Sequence, residues 1–202
     1  MEHYFSPQSQ TELNMKEMVA KIGSIELKLY TSNAVFSKQK VDYGSEILIE
    51  SIVEREAPLT GRLLDVGCGY GTLGLFLAKA YEALNCDLVD INERAVLLSK
   101  QNAQVNHLAD RVRIWQSDQL SAVTETYQVV VTNPPIRAGK AVVHGIYSGA
   151  YSVLEPGGRL YVVIQKKQGA PSTKESLEDL FGNCRVVNKQ SGYHILCATK
   201  GA

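Results

Sequence analysis

The sequence predicts an α/β fold, a parallel-dominated sheet with helices on both faces, and three features point to it. From residue 62 onward short apolar runs alternate with helical stretches, which is the pattern of βα units and not of hairpins. The runs RLLDVG and YQVVVTN are nearly continuous in apolar character, as strands buried on both faces are. A glycine-rich turn, DVGCGYG, joins the first of these strands to the first helix. Open α/β sheets receive their ligands at such turns, outside the carboxyl ends of the strands.

Taken in order, residues 1–18 are polar and read as a loosely packed arm or short helix. IELKLYT (25–31) alternates apolar and polar positions like a half-buried strand. SNAVFSKQKVDYGS then leads to a helix over EILIESIVEREA. RLLDVG is the first strand of the main sheet and GTLGLFLAKAY its helix; CDLVDI is the second strand, followed by helical ERAVLLSKQNAQVN. RVRIWQ and YQVVVTN are the third and fourth strands, and KAVVHGIYSGAYSVL is the next helix. GRLYVVIQ is the fifth strand, STKESLEDLFG a later helix, and CRVVNKQ and YHILCATK the last strands. The SGY between those two extended runs suggests an antiparallel pair at the end. Residues 1–50 are expected to form an N-terminal extension packed on a main domain at 51–202.

Composition narrows the function classes. A hydrophobic share of 45% with 21% charged residues is that of a globular domain. The 21 basic residues equal the 21 acidic ones, so no global charge marks a nucleic-acid binder. Cys68, Cys86, Cys184 and Cys197 show neither a close pair nor metal spacing, and the four histidines have no ligand spacing, so no metal is expected. Without a signal-like start or a run of membrane-spanning length, a reduced, cytoplasmic setting is expected.

In LLDVGCGYGTLG, Gly67, Gly69 and Gly71 permit a tight turn and close approach of a ligand to the backbone. The spacing GxGxG departs from the dinucleotide fingerprint GxGxxG. Asp65, just before the turn, suits a ligand carrying an amino or amide donor. Asp90 ends the second strand 19 residues after Gly71, where a carboxylate can accept from both hydroxyls of a ribose. Asp118, after the third strand, either accepts from an adenine amino group or, with Ser117, caps a short helix. A nucleoside across three strand ends, with no P-loop, fits S-adenosylmethionine.

VTNPPIRAGK (131–140) raises the question of the reacting partner. Two prolines end the ladder, and Pro134 holds Asn133 extended. Asn133 and the carbonyl of Pro134 are thereby offered as stiff acceptors at the top of the sheet.

DVGCGYG, VDIN, QSD and NPP, in this order, resemble the class I S-adenosylmethionine-dependent methyltransferases. VFSKQKVDYGSEILI with LDVGCGYGTLG and TNPPIRAGK resembles, more narrowly, the bacterial small-subunit ribosomal RNA guanine-N2 methyltransferase family over about residues 25–200. The resemblance implies a Rossmann-like seven-stranded sheet with its last strand antiparallel. It implies that Asp65, Gly67, Cys68, Gly69 and Gly71 surround the methionine part of the cofactor. Asp90 and Ile91 would border the ribose, Asp118 the adenine, and Asn133 both cofactor and substrate. Asn133, Pro134 and Pro135 match the motif that orients the target amine; the following position is often aromatic in the family but is Ile136 here.

Arg137, Lys140, Arg159, Lys166 and Lys167 against Glu155 make residues 134–170 formally +4. Ile136, Arg137, Lys140, Lys166 and Lys167 are therefore the candidate substrate contacts, toward small-subunit ribosomal RNA or a ribosomal assembly intermediate. Lys38 and Lys40 would extend the basic rim, and Tyr70 or Phe36 would supply a stacking surface. Methylation of a protein glutamine amide, or of adenine N6 in nucleic acid, are the competing activities, because NPP can orient those nitrogens too.

Overall fold

In the computed structural model, which describes residues 15–32 and 41–201, a two-stranded ribbon stands beside a seven-stranded sheet. The elements in order are β1 (Met15–Ile22), β2 (Ile25–Ser32), α1 (Tyr43–Arg55), β3 (Gly61–Val66), α2 (Thr72–Ala80), β4 (Leu84–Asp90) and α3 (Glu93–Val105). There follow β5 (Val112–Gln116), β6 (Tyr127–Thr132), α4 (Lys140–Val153), β7 (Leu154–Gln165), α5 (Ala170–Phe181), β8 (Arg185–Gln190) and β9 (Tyr193–Thr199). The main sheet runs β5-β4-β3-β6-β7-β9-β8. All its pairings are parallel except those of β9, which is antiparallel to both neighbours.

Period-2 alternation divides each central strand between two cores. Val129 and Val131 face one side with Leu63, Phe76, Leu98 and Ile47; Val130 faces the other with Val143, Ile146 and Leu177. Helices α1, α2 and α3 cover the first face together with the ribbon, and α4 and α5 cover the second. The boundary expected at 50/51 falls inside α1, whose Ile47, Leu48, Ile49 and Ile52 are all fully buried.

Two elements differ from the sequence reading. Residues 15–18, expected in an arm or short helix, belong to a strand that pairs with β2 through a two-residue Gly23-Ser24 turn; the rest of that arm lies outside the described residues. Glycine at position 23, with φ of 56°, permits the tight reversal. The fifth strand of the main sheet starts earlier than expected, because Leu154 already pairs with Tyr127 before an irregularity carries the register to Val129 and Arg159.

The ribbon is tied to α3 by two asparagines acting as surrogate strand edges. Asn106 exchanges hydrogen bonds with Lys28, and Asn102 with Tyr30. Asn102 also donates to the carbonyl of Tyr70 at 2.8 Å, so the ribbon braces the glycine turn.

Candidate active site

The strand order reverses direction at β3 and β6, which are neighbours at the centre of the sheet. Loops leaving the carboxyl ends of two such strands diverge and leave a crevice. The glycine turn leaves β3 here and Asn133 leaves β6. The hydroxyl of Thr132, fully buried, donates to the carbonyl of Val66 at 2.9 Å and locks the two ends together.

The glycine turn is held by strand β4. The amides of Gly67 and Cys68 both donate to the carbonyl of Val89, and the amide of Gly71 donates back to Cys68. Gly67, Gly69 and Gly71 all have positive φ, which only glycine adopts without strain. A Cβ on Gly67 would meet nothing within 4 Å, whereas one on Gly71 would stand 2.7 Å from Leu75. The first glycine therefore faces open space and the last serves close helix packing.

Asp65 is fully buried at the root of this turn. Its Oδ2 accepts from the amide of Gly74 in α2 at 2.9 Å, but Oδ1 is buried without a hydrogen-bond partner among the described residues. Burial, with a smaller contribution from the charge of Asp90, pushes its carboxyl up to about 7 despite the bond from Gly74. An orphaned buried acceptor is costly, and a cationic amino group supplied from outside would satisfy it.

Asp90 has a double role. Its Oδ2 accepts from the amide of Gly69 and its Oδ1 from the amide of Asn92, so it anchors the turn that it borders. A carboxylate at a strand end beside such a turn has the acceptor chemistry that ribose hydroxyls call for. Ile91 follows, half-buried, with its carbonyl accepting from Gln116. The amide of Ser117 donates to the Asp90 carbonyl, bringing the end of β5 alongside. Ser117 caps the turn there by accepting from Ala122, while the Asp118 side chain is exposed. Cys68 contributes backbone only: its thiol lies inward near Ser99, and burial pushes it well above its ordinary range.

Asn133 is gripped from a distant part of the chain. Its Nδ2 donates to Asp42 Oδ1 at 2.8 Å and to Ser45 Oγ at 3.2 Å. Asp42 is at the same time the N-cap of α1, accepting from the amide of Ser45 at 3.0 Å. The Asn133 Oδ1 takes no hydrogen bond among the described residues and is left as an acceptor. Pro134 is buried, and its carbonyl already accepts from the amide of Ile136 at 2.9 Å in a tight turn about Pro135 (φ −75°, ψ 80°). One of its two lone pairs remains.

Around this centre Arg137, Lys140, Lys166 and Lys167 are all exposed, and Ile136 is half-buried against the α4 core. Lys166 and Lys167 follow β7, the parallel neighbour of β6, so they share the carboxyl edge with Asn133. Desolvation lowers the pKa of His194, and the charges of Lys189 and Lys166 lower it further, which marks that edge as electropositive. Tyr70 does not form the stacking surface expected of it: it is only 3% exposed, inside the first core. Phe36, Lys38 and Lys40 lie outside the described residues.

The sequence reading missed the residues on the opposite wall. Tyr43, next to Asp42, is 42% exposed and packs edge-to-face with Tyr193 at 5.7 Å. The Tyr193 hydroxyl accepts from Gln165 at the end of β7. An aromatic pair thus stands at the N-terminus of α1, whose cap Asp42 holds Asn133, although position 136 has no aromatic.

The donor set fits S-adenosylmethionine. Asp65, whose buried Oδ1 lacks a partner among the described residues, would receive the ammonium of the methionine part, the open space over Gly67 would admit its chain, and the carboxylates of Asp90 and Asp118, at the ends of the next two strands, would serve ribose and adenine. Residues 26–197 match the methyltransferase small domain family. The chain is 44% identical over 201 residues to the uncharacterized protein YbxB of Bacillus subtilis, covering 98% of each. It is 31% identical over 180 residues to ribosomal RNA small subunit methyltransferase C of Vibrio vulnificus, covering 87% of this chain and 50% of that protein. The structure of a T. thermophilus 16S rRNA N2 G1207 methyltransferase, in complex with AdoMet and guanosine, aligns with a TM-score of 0.82 at 29% identity. That alignment covers 96% of this chain and 52% of the other. The chain thus spans about half the length of the ribosomal RNA methyltransferases it matches. It belongs to the methyltransferase small domain family, with the fold and the cofactor of the class I S-adenosylmethionine-dependent methyltransferases.

Proposed function

We propose that this chain methylates the exocyclic N2 amine of a guanine in small-subunit ribosomal RNA, free or within an assembly intermediate. The observation that carries the reading is the Asn133 amide, turned so that its oxygen is the end available at the crevice. A guanine amine is a poor nucleophile, because its lone pair is delocalised into the ring. Asn133 Oδ1 and the remaining lone pair of the Pro134 carbonyl accept its two N–H bonds. They aim the nitrogen and stabilise the positive charge that grows on it during attack. The cofactor supplies a methyl group already activated by its sulfonium. After transfer the nitrogen sheds one proton to solvent, and neither a covalent enzyme intermediate nor a strong base is required.

Support for RNA comes from the exposed cations Arg137, Lys140, Lys166 and Lys167 on the same edge, placed to hold phosphates around an extruded base. Tyr43 offers the ring contact that Ile136 does not. The guanosine bound by the T. thermophilus relative supports the choice of base. The test is incubation with methyl-labelled cofactor and separate RNA, DNA and protein substrates, followed by digestion. Label recovered from RNA as N2-methylguanosine is expected. Label recovered as methylglutamine or N6-methyladenine would replace this reading with one of those activities.

A further inference from the structure

We propose that Asp42 is a positioning residue for this transfer: its carboxylate decides which end of the Asn133 amide faces the substrate. The inference rests on the reading of Asn133 as acceptor for the target amine. The two ends of a side-chain amide have nearly the same shape, and only their hydrogen bonds tell them apart. An ionised carboxylate accepts and never donates, so the 2.8 Å contact to Asp42 Oδ1 admits only the nitrogen end. A flipped amide would set oxygen against oxygen there and turn its NH₂ toward the substrate amine, donor to donor. Ser45 Oγ lies 3.2 Å from the same nitrogen, but a hydroxyl can donate as well as accept, so the discrimination comes from Asp42. Asp42 cannot turn away cheaply, since the same oxygen caps α1 through the Ser45 amide. The helix behind it is anchored by Ile47, Leu48 and Ile49, all fully buried. Helix α1 therefore transmits the position of its own N-cap to an asparagine 91 residues away.

Three variants separate this role from mere folding. Asp42→Ser keeps an N-capping oxygen on a shorter side chain. Asn133→Asp sets two carboxylates face to face, and adding Asp42→Asn to it lets an amide nitrogen donate to position 133, while a turn of that side chain leaves its oxygen to cap α1 in place of the shared Oδ1. Single-turnover transfer to small-subunit ribosomal RNA at saturating cofactor should fall about tenfold in D42S and about 100-fold in N133D. Cofactor affinity should be unchanged in D42S, and D42N/N133D should regain at least about tenfold over N133D. In the ¹⁵N-labelled, cofactor-free protein, the Asn133 side-chain NH₂ pair should exchange slowly with solvent and lose that protection in D42S.

Wild-type turnover in D42S, or a double variant no faster than N133D, would overturn the role of Asp42. So would an Asn133 NH₂ signal unaffected in D42S. A wild-type protein that transfers nothing to RNA would instead overturn the substrate reading, and the exchange measurement would still decide whether Asp42 grips Asn133.

Discussion

Replacing Asp65 with Asn should make the protein more stable at neutral pH and a poorer binder of its cofactor. Asp65 is fully buried, and its carboxyl is pushed from 3.8 to about 7, chiefly by burial. Unfolded, it ionises near its ordinary value; folded, it keeps its proton until about 7. The stability this group contributes is therefore present at low pH and lost as pH rises to about 7. At about 1.36 kcal/mol per pH unit, the whole displacement is worth roughly 4 kcal/mol. Between pH 5 and 7 about 2 kcal/mol of that should disappear from the wild type and not from D65N. With the cofactor ammonium placed against the ionised carboxylate, as its unpartnered buried oxygen favours, D65N should lose a charged hydrogen bond of about 1.5–3 kcal/mol. That is roughly a 10- to 150-fold weaker Kd. Urea unfolding of the cofactor-free proteins across this pH range reads the first effect, and titration calorimetry at pH 8 the second. Parallel stability profiles for the two proteins would refute the buried ionisation. An unchanged Kd would place the ammonium elsewhere.

Asp90→Ala should weaken cofactor binding and also lower the thermal midpoint. The amides of Gly69 and Asn92 lose their acceptor together, at about 1–3 kcal/mol for each buried donor; calorimetry and thermal unfolding that both match wild type would contradict this. Lys166→Ala with Lys167→Ala should weaken RNA binding and leave cofactor affinity intact. The slope of log K against log salt should flatten by roughly 0.7 for each lost single-strand phosphate contact, and an unchanged slope would remove both lysines from the interface. Tyr43→Ala should cost about 1–3 kcal/mol of RNA binding through lost stacking, while Tyr43→Phe, which gives up only the hydroxyl contacts to Ser191 and Gln190, should bind RNA nearly normally. Equal RNA affinity in Y43A would leave the target base without that platform.

Much of the candidate site was legible in the sequence because its residues lie on short segments at strand ends. Asp65 and the glycines share one loop, Asp90 closes the next strand, and NPP closes another. Each carries its own chemistry locally, and the order of strands in an α/β sheet brings the loops together. The grip on Asn133 could not be read that way, because Asp42 is 91 residues distant and its local pattern is only that of a helix cap. Tyr43 and Tyr193 meet through the packing of α1 against the last hairpin, a tertiary contact with no periodic signal. Tyr70 misled for the opposite reason: its place in the glycine turn suggests access, but the ribbon and α3 cover it. The missed strand β1 did have a local signal in the Gly23-Ser24 turn between two apolar residues, Ile22 and Ile25. The charged residues of MKEMVAKI obscured it, and six of its eight positions do remain outside the buried core.

The role of Asn133 is tested most directly by single-turnover methyl transfer in Asn133→Ala at saturating cofactor and RNA, alongside a folding check. Without the side-chain acceptor the amine is poorly aimed, and such misplacement costs about 100-fold in rate. The expected result is therefore a folded protein with near-normal cofactor affinity and a transfer step slowed by about that factor. A wild-type rate yielding the same methylated nucleoside would show that Asn133 does not position the amine, and a loss confined to cofactor affinity would place its contribution on the other side of the crevice.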